Sequence, residues 1–181
     1  MAYLTESMLL NSYRRSTQSI TSMHKSFSAN IPPDATIFLS HSHLDKVLII
    51  GFIQELEESG INVYVDWNDI EIPDRTNRTT AIRIKERIKQ NDLFMIFATE
   101  NALKSRWVPW EIGVADQAKP YNKIFVIPVI RDNIEYSGNE YLQLYNEISI
   151  SDTNYFAAFN PKQTKGILLK SVIKKKGYIY G

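Results

Sequence analysis

An α/β fold, three layers deep with a mostly parallel five-stranded sheet, is predicted by two observations on this 181-residue chain. From residue 35 onward, short apolar runs alternate with amphipathic helical stripes, the pattern of strands buried on both faces by helices. Two of the runs, 36–40 and 92–98, end in polar clusters that open helices, so two strand ends converge on one crevice. Open α/β sheets bind ligands there.

Each element follows in order. Residues 1–33 are rich in Ser and Thr, with Arg14, Arg15 and Lys25 set against Glu6. Leu4, Met8 and Leu9 share a helical face, so this stretch reads as an N-terminal helical or flexible arm ending at Pro32-Pro33; a transit peptide is the alternative. The domain proper is expected over 34–181, its motif-bearing core over 35–135. After the strand at 36–40, Leu44, Leu48, Phe52 and Leu56, with Ile49 and Ile53, mark a helix that stops at Gly60, a left-handed cap. A strand at 61–66 leads into a polar loop, 67–77, containing Asp69, Glu71, Pro73, Asp74 and Arg75. Ala81, Ile84 and Ile88 mark the next helix, whose basic face (Arg83, Lys85, Arg87, Lys89) is expected to be solvated. Strands follow at 92–98 and 123–130, and Pro128 in the latter should lie near its end or at a bulge, because proline cannot donate to a ladder. Residues 141–145 suit a short helix, either 148–150 or 155–159 a fifth strand, and Lys174 to Lys176 a solvated end.

Composition excludes several functions. There is no cysteine, hence no disulfide, Cys-ligated metal or thiol nucleophile. Lys and Arg total 21 against 20 Asp and Glu, so net charge asks for neither nucleic acid nor an anionic membrane. No apolar run reaches membrane-spanning length, and a cytoplasmic location is expected. The glycines form neither a dinucleotide-binding fingerprint nor a P-loop, and no nucleophile elbow exists. His24, His41 and His43 lack ligand-like spacing, so no metal is expected. A response-regulator receiver needs paired acids after its first strand and an acceptor Asp after its third, whereas this chain has Ser40-His41 and Ala98-Thr99.

What remains is Trp107-Val-Pro-Trp-Glu111, in which an aromatic and a carboxylate stand four residues apart on one helical face just beyond the strand at 92–98. Together with Ile37-Phe-Leu-Ser-His41, Asp45 and Gly60-Ile-Asn-Val-Tyr-Val-Asp66, in this order and spacing over residues 35–130, it resembles a Toll/interleukin-1 receptor (TIR) domain. The likeness is to bacterial stand-alone members used in antiphage defence. It implies a flavodoxin-like fold, cleavage of NAD+ at the nicotinamide–ribose bond, and catalysis by Glu111 with Trp107 against the substrate. It also makes 67–77 the assembly and gating loop.

The chemistry is consistent with those residues. Nicotinamide departs as a neutral molecule, so no general acid is needed, and the barrier lies in an oxocarbenium-like ribosyl centre that one carboxylate can stabilise. Trp107 offers a π face to the cationic ring, worth about 1–2 kcal/mol if desolvated. Ser40 and His41 could hold ribose or diphosphate oxygens. Asp45, Asp66, Trp67 and Arg75 complete the candidate substrate contacts. The structural alternatives are helix capping for Asp45, loop amides for Asp66 and pairing with Asp74 for Arg75. The expected reading is a TIR NAD+ glycohydrolase or ADP-ribosyl cyclase that takes NAD+ as substrate, needs no cofactor, self-associates on activation and signals to a separate effector. A non-catalytic scaffold and a nucleoside deoxyribosyltransferase-like enzyme are the alternatives from other classes.

Overall fold

The structure is a computed structural model and describes residues 2–17, 32–67, 77–132 and 139–177. Its strands are β1 (Leu4–Thr5), β2 (Ala35–Ser40), β3 (Val63–Asp66), β4 (Leu93–Ala98), β5 (Ile124–Ile130), β6 (Asn146–Ile150), β7 (Phe156–Phe159) and β8 (Gly166–Leu168). Its helices are α1 (Glu6–Thr17), α2 (Lys46–Glu58), α3 (Arg78–Gln90), α4 (Glu100–Leu103), α5 (Val108–Ala118) and α6 (Leu169–Lys174).

The central sheet runs β3-β2-β4-β5-β6-β7-β8. The five expected strands form its parallel block, β3 through β6, with the strand order of a flavodoxin-like domain. The sheet is nevertheless larger than five strands. Both segments that competed for the fifth place are strands, because 156–159 pairs antiparallel with β6 and in turn carries β8. Nothing in their short apolar runs separated a sixth strand from a loop.

Strict alternation explains why β4 and β5 are apolar throughout. Leu93, Met95, Phe97, Phe125, Ile127 and Val129 enter one core layer, shared with α1, α2 and α6. Phe94, Ile96, Ala98, Ile124 and Val126 enter the other, beneath α3, α4 and α5. The helix after β2 ends as predicted: Gly60 has φ 65°, and Ile61 N–H reaches back to the Leu56 carbonyl at 2.9 Å.

The N-terminal segment packs onto the sheet. Its helix exists, but Leu4 belongs to β1, which pairs parallel with Val129 and Ile130 at the end of β5. Leu4 and Leu9 are fully buried, and α1 packs along α2, where Gly51 lets the Leu9 carbonyl approach. Residues 2–17 thus contribute Leu4 and Leu9 to the core, and 18–31 lie outside the described residues. Pro128 is explained by the same arrangement. It falls between Phe125 and Val126, which pair with β6, and Val129 and Ile130, which pair with β1. A residue without an N–H sits where β5 changes partner.

Candidate active site

Ser40 closes β2. Phe38 lies in the α5 layer, so Ser40, two residues further on and opposite Ile96, faces the same way. There it meets Glu111 in the first turn of α5, a helix started by Pro109 near its N-terminus. The Ser40 hydroxyl donates to Glu111 Oε2 at 2.5 Å. Both are buried, at 1% and 6% exposure. Burial pushes the Glu111 carboxyl up to about 7, against the opposing pull of the Ser40 hydrogen bond. This carboxylate lies at the topological switch point, where the chain leaves β2 for β3 on one side and β4 pairs on the other.

Trp107 precedes Glu111 by one turn, its carbonyl accepting from Glu111 N–H at 2.8 Å. Its indole is half-buried and packs edge-on to Trp110, with centroids 5.4 Å apart and planes at 82°. Lys85 of α3, exposed like Arg83 and Lys89 of the basic stripe, stands over the Trp110 ring at 5.7 Å. His41 turns Nδ1 onto the Leu39 carbonyl at 2.8 Å.

Other expected substrate contacts are engaged elsewhere. Asp45 is buried and receives the Thr99 hydroxyl and Asn101 Nδ2, the latter at 2.7 Å, so it ties the turn after β2 to the start of α4. Asp66 lies opposite Phe38, hence on the α3 side, where Arg87 Nε donates at 2.8 Å and Asn91 Nδ2 at 3.2 Å. Trp67 packs against the opposite core layer, not the one containing Glu111. In the described fold these three residues thus have the structural partners named. Arg75 lies outside the described residues, as does the loop from 68 to 76. Sequence reasoning missed Thr99, Asn101 and Arg87. A Thr between an apolar strand and a helical segment is a capping signal that could have exposed the first, and Thr99 does cap α4 through Ala102 N–H. Nothing local marked the other two. Among the described residues no group of three or more His, Asp or Glu is placed to hold a metal ion, and no helix is long and apolar enough to cross a membrane.

The TIR domain family matches residues 37–164, a span containing Ser40, Trp107 and Glu111. The chain belongs to the TIR domain family. One TIR relative, from Bacillus cereus (strain MSX-D12), is 33% identical over 162 residues, covering 80% of this chain and 82% of its own; its name is "Probable 3' cyclic ADP-D-ribose synthase ThsB'". Another, from Cytobacillus dafuensis, is 30% identical over 79 residues, 42% of this chain and 21% of its own, and is named "Putative cyclic ADP-D-ribose synthase TIR2". As a TIR domain, the chain places its buried carboxylate at the strand-end crevice where the fold concentrates ligand contacts.

Proposed function

We propose that this TIR domain cleaves NAD+ at the nicotinamide–ribose bond and closes the remaining ADP-ribose on itself, releasing nicotinamide and a cyclic ADP-ribose isomer. The observation that carries the reading is Glu111: a buried carboxylate at the switch point of the sheet, in a chain 33% identical to a named cyclic ADP-D-ribose synthase. The N-glycosidic bond breaks with its electron pair going to the pyridinium nitrogen, so nicotinamide leaves neutral and positive charge grows on the ribosyl carbon. Ionised Glu111 stabilises that charge, which exists only in the transition state. A nucleophile of the same substrate then forms the new bond and loses a proton. Trp107, one helical turn before Glu111, shields the cationic face from water and holds the reacting ends together, which favours the intramolecular step.

The product acts as a diffusible signal to a separate effector in antiphage defence, within the cytoplasm. Self-association raises activity, through the loop at 67–77; a specific activity that stays constant over a wide range of protein concentration would count against this part. Incubating the purified protein with NAD+ and analysing it by mass spectrometry tests the whole reading. The expected result is free nicotinamide plus a product one water lighter than ADP-ribose. Intact NAD+ under all conditions would leave the protein a scaffold, and release of base from a deoxynucleoside instead would make it a deoxyribosyltransferase-like enzyme.

A further inference from the structure

We propose that Ser40 is a positioning residue for Glu111 rather than a substrate contact: its hydroxyl grips Oε2 and leaves Oε1 as the oxygen that faces the reacting ribose. The inference deepens the proposed NAD+ cleavage and rests on it for its catalytic meaning.

The geometry argues for it in three steps. Ser40 is 1% exposed against 6% for Glu111, so its hydroxyl has less surface to offer a ligand than the carboxylate it meets. That hydroxyl is directed by the strand itself, since the register with Ile96 turns it into the α5 layer, and it donates to Oε2 at 2.5 Å. A carboxylate held through one oxygen by a fixed backbone element has lost rotamer freedom and presents its second oxygen in a set direction.

The charged groups on the surrounding elements do not replace this contact. In the turn after β2, His41 is turned to the Leu39 carbonyl and Asp45 is held by Thr99 and Asn101. On α4, Glu100 pairs with Lys104 and Arg131; on α3, Lys85 lies over Trp110 and Arg87 pairs with Asp66. On α5 itself, Asp116 accepts from the Tyr145 hydroxyl. None of these is hydrogen-bonded to Glu111, and the influences on its acidity are burial and Ser40. The hydroxyl stabilises the ionised form, the form the reaction needs.

The test compares wild type, Ser40→Ala and Ser40→Thr by NMR titration of carbon-labelled Glu carboxyl groups, with Glu111→Gln assigning the resonance, alongside kcat/KM for NAD+ against pH. Losing one hydrogen bond to a charged group should move the Glu111 midpoint up by about one pH unit in Ser40→Ala, and Thr should restore it. The rising limb of kcat/KM should move with it, with about a tenfold loss near pH 6.5 and recovery above pH 9. An unmoved Glu111 midpoint in Ser40→Ala overturns the proposal. So does a loss confined to KM and equal at every pH, which would make Ser40 a substrate contact. If the midpoint moves but wild type releases no nicotinamide, the positioning role stands and the NAD+ reading is what fails.

Discussion

Ser40 and Glu111 are 71 residues apart in the chain and 2.5 Å apart in the fold, joined by a buried hydrogen bond between the end of β2 and the first turn of α5. The contact links the two elements that flank the switch point. Four expected outcomes follow from this contact and from the packing of the two core layers.

Glu111→Gln keeps the shape of the side chain and removes its charge. Nicotinamide release should fall by at least about a hundredfold while the fold survives, because the lost interaction is one made chiefly in the transition state. Steady-state assay with NAD+, accompanied by circular dichroism, checks this. Turnover within a few-fold of wild type in a folded variant would move catalysis away from Glu111.

Stability should depend on pH through the same residue. The folded state raises the Glu111 carboxyl from 4.5 to about 7, so folded protein holds that proton more tightly than unfolded chain. The resulting stabilisation is complete below the unfolded value, near pH 4.5, and is lost as pH rises through about 7. Its size is about 3 kcal/mol. Urea denaturation of wild type and Glu111→Gln at pH 5 and pH 8.5 should show the variant gaining on wild type by roughly this amount at the higher pH. A pH-independent difference between the two would contradict the buried, proton-retaining carboxyl.

Gly51→Ala should undock the N-terminal segment. An added Cβ would overlap the Leu9 carbonyl oxygen and stand 2.8 Å from its carbon, with backbone on both sides and no flexible side chain to yield. A cost of about 3 kcal/mol or more is expected. Hydrogen exchange should then show lost protection in α1 and β1 before the rest of the sheet. Retained stability with full protection in α1 would mean that the segment is not locked by this approach.

Trp107→Ala should alter what the enzyme makes more than how fast it releases nicotinamide. The indole packs edge-on to Trp110, itself under Lys85, and so forms a rigid apolar wall one turn from Glu111. Removing it admits water to the ribosyl face, and the share of linear ADP-ribose should rise several-fold. Product masses decide; an unchanged ratio of cyclic to linear product would assign the shielding to other residues.

The parallel core was legible in the sequence because buried strands and amphipathic helices write their periods directly into it. The runs at 36–40, 61–66, 92–98 and 123–130, and the stop at Gly60, needed no tertiary information. The placement of Trp107 and Glu111 one turn apart on a helix after a buried strand was likewise legible, since a four-residue spacing has a determinate geometry. Tertiary structure alone decided the rest. Leu4 and Leu9 read equally well as an amphipathic arm, and only the gap beside the end of β5 and the bare backbone of Gly51 turn them into core. Asp45 and Asp66 carry the same charge at the same end of the sheet as a ligand-binding acid would. Thr99 and Asn101 meet the first and Arg87 and Asn91 the second, partners 21 to 56 residues away; the local capping signal of Thr99 marks a helix start but not its contact with Asp45. The acidity of Glu111 belongs to the same class, because burial and a hydroxyl from another strand exist only once the chain has closed around it.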